Sequence, residues 1–141
     1  MVTSSTRGVT MVPTRGAMPV LGTNPLAFAA PAKRNRPFVL DMATTTVAAG
    51  KVKVHHLNDA ALPIGWVVDE RGTPITDPHE ANAFVFQKKE GGITPVGGAE
   101  DTGGAKGYGL AMLVHILGGA LVGSSFSPIR NRQARDDQPH N

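Results

Sequence analysis

The apolar positions of this chain fall in short runs broken by glycine, proline and charge, and the runs differ in period. "VLGTNPLAFAAP" (20–31) is apolar on both sides of a Gly-Thr-Asn-Pro turn. A proline disfavours helical backbone in the residue before it, so Asn24 is expected to be extended and Leu26 to Ala30 to leave the turn as a strand. "KRNR" (33–36) reads as an exposed loop, and "PFVLDMA" (37–43) as a buried strand ending at Asp41. In "TTTVAAGKVKVHHLNDAALP" (44–63), Val47, Ala48, Val52 and Leu57 have loosely helical spacing. Thr44 or Thr45 can cap this helix and Pro63 closes it, although Gly50 and the β-branched valines weaken its propensity.

"GWVVDERGTPITDP" (65–78) predicts a short strand, a polar turn at Asp-Glu-Arg-Gly and a second turn at Asp77-Pro78. "HEANAFVF" then predicts a short helix capped by Asp77. A glycine-rich loop runs from Gly91 to Gly109, and the apolar positions from Tyr108 through Val122 give the strongest helix in the chain. This is mixed α/β (α+β) patterning without the regular βαβ alternation of a doubly wound sheet.

With 141 residues, 40% hydrophobic and 18% charged, the chain suits one globular domain. The 17 glycines and 11 prolines favour short elements joined by many turns. No cysteine is present, which excludes disulfides, thiolate zinc sites and cysteine nucleophiles and fits a reducing compartment. The net charge is only +3 and the basic residues are scattered, with "KRNR" and "IRNRQAR" (129–135) as the densest spots. Aromatics make up 5%, so the interleaved basic and aromatic face of a nucleic-acid binder is not expected. The start lacks an apolar h-region, and Leu110–Val122 is shorter than the roughly 20 residues of a membrane span. The expectation is a soluble, cytoplasmic protein without a membrane partner. The patterned start and the polar end "RDDQPHN" (135–141) suggest a fragment.

"GGAEDTGGAKGYGLAMLV" (97–114) looks built for phosphate, but it fits neither common fingerprint. A Walker A loop needs lysine and then a hydroxyl after its second fixed glycine. Here Gly104 follows Gly103, Lys106 arrives late, and Gly107 stands after it. A dinucleotide fingerprint needs G-x-G-x-x-G after a strand; Gly107 and Gly109 start one, but Met112 holds the third position. What survives is general chemistry. Glycines allow close approach, a helix beginning near Gly107 offers N–H groups, and Lys106 adds charge. The residues alone are equally compatible with a flexible loop that caps a buried helix.

The blocks "LGTNPLAFAAP", "FVLDMATTTVAAGK", "LPIGWVVDERGTPITDP", "TPVGG" and "GGAKGYGLAMLVHIL" occur in one order over nearly the whole chain. Together they resemble the type-2 malate/L-lactate dehydrogenases, a family that also holds ureidoglycolate and sulfolactate dehydrogenases and cyclic imino-acid reductases. The resemblance implies a non-Rossmann, predominantly antiparallel sheet flanked by helices, usually in a homodimer. It implies NAD or NADP as cofactor and a small 2-hydroxy or 2-oxo acid as substrate.

Carried over residue by residue, the resemblance points to Thr23 as a substrate contact, with a turn threonine bonding its own backbone as the alternative. It points to Asp41, Met42, Ala43 and Lys106 as cofactor contacts, and to Ala49 and Gly50 as substrate-lining positions, where Gly50 could instead serve close packing. Lys51 stands where imino-acid reductases carry an acidic residue, which favours a hydroxy acid. Ala105 replaces the His or Tyr of many relatives, and "MVTSSTRGV" departs from the pattern that helps hold cofactor, leaving Ser5, Thr6 and Arg7 without a role. The family's general base is expected upstream of Met1, so residues 1–141 read as a partial NAD(P)-binding domain, inactive by itself. His55 and His56 are adjacent and so do not form an i, i+4 metal pair, and His115 reads as a core histidine. No metal site is expected. The competing reading is a catalytically inactive nucleotide-binding or scaffold polypeptide.

Overall fold

The computed structural model describes residues 1–6 and 8–123. Arg7, the basic spot at 129–135 and the polar end at 135–141 lie outside the described residues. Two small antiparallel sheets organise the chain. The first has the order β1 (Val2–Thr3), β2 (Leu26–Ala30) and β3 (Phe38–Met42). β2 and β3 pair from Leu26↔Met42 to Ala30↔Phe38, so the exposed "KRNR" loop joins them as a hairpin connection. The strand predicted at 37–43 is therefore present, but it is not buried. Phe38 is 57% exposed and Val39 67%. An apolar run reports fitness for a pleated strand rather than what covers it, and β3 is the edge of its sheet. Phe28 of β2 meets Phe38 with ring centroids 6.3 Å apart.

The second sheet places β4 (Val67–Val68) between β5 (Pro74–Ile75) and β6 (Gly92–Ile93). The polar turn sits between β4 and β5 as expected. There Asp69 Oδ1 accepts from Arg71 N and Thr73 N, each at 2.8 Å. Those backbone donors, Thr73 first, hold the Asp69 carboxyl below the usual carboxylate range.

Two helices complete this layer: α2 (Pro78–Phe86) lies against the sheet, and α1 (Ala49–Leu57) packs against α2. Val52, Phe84, Val85, Val67, Ile75 and Ile93 share one core cluster with Val47, Leu62 and Ala81. Asp77 caps α2 as predicted: its Oδ1 accepts from Glu80 N at 2.7 Å, with Pro78 in the first turn, where no N–H partner is needed. The predicted cap of α1 fails. That helix starts at Ala49 behind Ala48 without a side-chain cap: Thr44 and Thr45 lie upstream of the cap position, and the Thr44 hydroxyl bonds the Thr23 and Asn24 carbonyls instead. It ends at Asn58, before Pro63 is reached.

The third helix, α3, spans Gly104–Gly118 and is followed by a 3-10 turn at Ala120–Val122. It starts earlier than the apolar pattern suggests. Gly103, at φ 103°, occupies left-handed backbone just before it, where glycine carries no side-chain penalty. The helix meets a second core cluster of Met11, Leu21 and Ala111, flanked by Val20, Tyr108 and Met112. Residues Gly104–Val122 have the length and composition of a membrane crossing, 19 residues at mean hydropathy 1.4. The α-helix stops at Gly118, however, and Lys106 and the buried His115 interrupt the apolar surface. Bridges Met11↔Leu21 and Met11↔Ile93 carry the second cluster onto the second sheet.

Candidate functional site

The Gly-Thr-Asn-Pro turn and the end of β3 are joined by a buried threonine. Thr44 is fully buried. Its N–H donates to the Thr23 carbonyl at 2.9 Å, and its hydroxyl donates to the carbonyls of Thr23 at 3.0 Å and Asn24 at 3.1 Å. Thr23 itself is half-buried. Among the described residues no hydrogen bond engages its hydroxyl, so nothing here supports a turn threonine bonding its own backbone.

Asn24 departs from expectation. Its φ is 33°, in left-handed rather than extended backbone. Asparagine is among the few residues other than glycine that visit this region, and here side-chain bonds hold it. Oδ1 accepts from Thr6 N at 3.1 Å and from Thr6 Oγ1 at 3.2 Å, while Nδ2 donates to the Ala111 carbonyl of α3 at 3.1 Å. Sequence reasoning treated Asn24 as a turn residue only. The available signal was an amide side chain inside an apolar run, which must find partners once buried.

Beyond β3, residues 44–46 pair with 94–96. Val96 N donates to Thr44 O and Thr46 N to Thr94 O, both at 2.9 Å. The hydroxyls of Thr46 and Thr94 lie 2.7 Å apart, and Thr94 Oγ1 donates to Gly65 O at 2.6 Å. The segment carrying Asp41, Met42 and Ala43 is thus tied to the segment that leads into the glycine loop. Asp41 is exposed, and Met42 and Ala43 are half-buried.

α3 rests directly on that junction. A methyl at Gly107 would meet Val96 N at 2.6 Å and the Val96 carbonyl more closely still, and one at Gly104 would meet the Gly98 carbonyl. These glycines serve contact between helix and loop. Lys106 is exposed in the first helical turn, with Cδ, Cε and Nζ lying back over Gly103. The expected array of free N–H groups is partly consumed. Gly103 N donates to Glu100 O, Gly104 N to Ala99 O and Lys106 N to Gly103 O, at 2.9–3.0 Å. Ala105 is exposed beside Lys106.

Ala49 and Gly50 open α1. Ala49 packs against the first core cluster, whereas a methyl at Gly50 would meet nothing within 4 Å. Close packing therefore does not explain Gly50. Lys51 is exposed next to it.

The histidines are engaged elsewhere. His55 Nδ1 lies 3.1 and 3.0 Å from the Ala60 and Ala61 carbonyls, His56 stacks edge-on with His79, and His79 Nε2 is 2.8 Å from Asp59 Oδ1. His115 is 3% exposed in α3, and burial pushes its pKa down. No group of three or more His, Cys, Asp or Glu among the described residues is arranged to hold a metal ion.

One backbone network thus brings Thr23, the Asp41–Ala43 strand end and the α3 turn bearing Lys106 into a common frame, to which no hydrogen bond among the described residues ties Ala49 or Gly50. A cleft of about 390 Å³ adjoins this frame at Thr94 and Pro95 and is lined further by Arg15, Arg71, Gly98 and Glu100. It includes none of the predicted site residues. The Arg15 guanidinium binds Glu100 there, with Nε 2.6 Å from Oε2, and holds that carboxyl below its usual range.

Comparison with known proteins gives this frame a context. A sequence profile described as malate/L-lactate dehydrogenase matches residues 1–141. The chain belongs to that family. It is 43% identical over 118 residues to a malate dehydrogenase of Pyrococcus horikoshii, covering 83% of this chain and 31% of that protein. It is 39% identical over 119 residues to a delta(1)-pyrroline-2-carboxylate reductase of Agrobacterium fabrum, covering 84% and 31%. The crystal structure of malate dehydrogenase from Entamoeba histolytica superposes with a TM-score of 0.81 at 28% identity, over 96% of this chain and 37% of that one. The chain thus spans about a third of the length of these relatives.

Proposed function

We propose that this chain forms part of an NAD(P)-dependent oxidoreductase that moves hydride between the nicotinamide ring and a small 2-hydroxy acid of the malate or lactate type. The observation that carries the reading is the Thr44 junction, which joins the substrate-contact candidate Thr23 to the cofactor candidates Asp41, Met42 and Ala43. A further relative, the ureidoglycolate dehydrogenase of Escherichia coli O157:H7, 39% identical over 116 residues, has NAD(+) in its name.

The residues present suit a nicotinamide nucleotide. Ala43 is small and half-buried, Lys106 is an exposed cation, and the Thr23 hydroxyl and the space beside Gly50 are not taken up by the chain's own packing. Asp41 would accept from ribose or amide groups, Met42 and Ala43 would flank the ring, and Lys106 would meet a phosphate or ribose oxygen. Thr23 would donate to the substrate carboxylate or keto oxygen, with Ala49 and Gly50 forming the wall beside it. Bound there, a nicotinamide nucleotide would supply the hydride acceptor for the hydroxyl-bearing carbon, and these residues would align the partners and exclude water. Among the described residues we assign none as the general base.

Related names include both malate dehydrogenases and pyrroline-2-carboxylate reductases. These substrates share a carboxylate beside the reacting carbon. Lys51 favours the hydroxy acid over the cyclic imine. The antiparallel pairing of both sheets and Met112 in the third glycine position support a non-Rossmann cofactor fold. We further propose a cytoplasmic homodimer, with residues 1–141 acting as part of its NAD(P)-binding domain and not as an inactive scaffold. Hydride-transfer assays of the protein from its complete reading frame test this, using NADH and NADPH with a panel of 2-oxo acids and cyclic imines. Turnover of 2-oxo acids is expected. Turnover of imines alone would reverse the substrate assignment, and no turnover of either would favour the scaffold.

A further inference from the structure

We infer that Thr44 is a positioning residue, fixing the distance between the substrate-side hydroxyl of Thr23 and the cofactor-side strand end Asp41–Ala43. The inference rests on the functional reading above and assigns its geometric control to a residue outside the ligand contacts. Thr44 has no exposure, so it does not touch a ligand in solution. Its backbone continues directly from Ala43, and its N–H and hydroxyl both converge on the Thr23 carbonyl. Its own carbonyl accepts from Val96, against which Gly107 of the Lys106-bearing turn is packed.

The hydroxyl is the specific element. Asn24 ties the turn to Thr6 and to α3, whereas among the described residues only Thr44 ties its Thr23 carbonyl to the strand end at Ala43. The side chain adds a bifurcated bond that reaches Thr23 O and Asn24 O, two successive carbonyls of the Gly-Thr-Asn-Pro turn. Its single proton is shared between these adjacent carbonyls, which fixes the Thr23 carbonyl relative to the strand end. A burial this complete makes an unbonded hydroxyl costly, and the contacts to Thr23 O and Asn24 O offset that cost. Displacing Thr23 by a fraction of an ångström would misalign the substrate carbon with the nicotinamide ring, to which hydride transfer is steeply sensitive.

The test compares Thr44→Val, which keeps the shape and removes the hydroxyl, with Thr44→Ser, which keeps the hydroxyl. Both are measured beside Thr23→Ala and the T23A/T44V double variant in the complete protein. T44V is expected to raise KM for the 2-oxo acid, or lower kcat, by about tenfold or more, and T44S to recover most of the loss. Nucleotide Kd should stay within about twofold, because the hydroxyl bonds only the substrate-side turn. In the T23A background, T44V should add less than about twofold, since its effect passes through Thr23. Additive effects of T23A and T44V, or a T44S variant as impaired as T44V, would overturn the assignment. If T44V does not fold, Thr44→Cys replaces it, with a weaker donor and an expected intermediate loss; wild-type kinetics in T44C would count against the clamp. If the unsubstituted protein transfers no hydride, the functional reading fails by itself. Amide exchange then decides the clamp: faster exchange at Thr44 and Val96 in T44V but not T44S supports it, and unchanged exchange overturns it.

Discussion

Asn24 Nδ2 donates to the Ala111 carbonyl of α3 at 3.1 Å from a site with no exposure, in left-handed backbone at φ 33°. That one side chain ties the turn after Leu21 to the middle of the glycine-led helix. Asn24→Ala should destabilise the protein by about 2–3 kcal/mol, from the lost bonds and the carbonyl and N–H groups left without partners. Asn24→Gly relaxes the backbone and should recover roughly 1 kcal/mol of that loss. Urea unfolding of the three proteins checks the order. If Gly proves as stable as Asn, the side-chain bonds contribute nothing.

Two glycines of α3 should respond in opposite senses. Gly107→Ala forces a methyl against the Val96 backbone and should cost about 1–3 kcal/mol or more, because neither partner is a flexible side chain. At Gly109 a methyl meets nothing within 4 Å, so Gly109→Ala should stabilise the helix by about 0.5–1 kcal/mol. Thermal melts of the pair test whether α3 sits on the 96–98 segment as described.

These positions also mark where sequence was informative. The strands at 26–30 and 38–42 and the Asp77 cap were legible because apolar runs, turn residues and a capping carboxylate act locally. The start of α3 was not. Gly103, Gly104 and Gly107 read as loop, since glycine's local preference is weak and their reason is contact with residues 96–98. Thr44 looked like a helix cap for the same reason in reverse: its hydroxyl serves distant carbonyls, and no local pattern encodes that. The seven candidate contacts came from the order of the blocks. What sequence missed was the frame beneath them, Asn24 and Thr44, both buried polar residues whose partners are far along the chain.

Gly50 separates stability from function. Its missing side chain faces open space at the second position of α1. Gly50→Ala should raise stability by about 0.5–1 kcal/mol through helix propensity. If Gly50 lines the substrate wall, the same change should raise KM for the 2-oxo acid. A melting temperature and a KM that rise together support the assignment, whereas an unchanged KM removes Gly50 from the site.

His115 gives the fold a pH dependence. Burial lowers its pKa below the unfolded value near 6.5, so the unfolded chain binds the proton more readily. Its contribution to stability is therefore complete above about pH 6.5 and is lost as pH falls towards the folded pKa, with a slope of at most about 1.4 kcal/mol per pH unit. His115→Gln, uncharged throughout, should flatten this part of the profile. Denaturant midpoints between pH 7.5 and 5 provide the measurement, and an equal slope in both proteins would exclude His115 as its source.

In the proposed function, the Asp41–Ala43 strand end and the Lys106 turn form one side of a nicotinamide-nucleotide site. Equilibrium titration with NADH and with NADPH, followed by nicotinamide fluorescence, tests it most directly. Saturable binding of at least one nucleotide is predicted, weakened about tenfold by Lys106→Met and by Ala43→Leu without loss of folded structure. Binding of neither nucleotide, or binding that both variants leave unchanged, would contradict it.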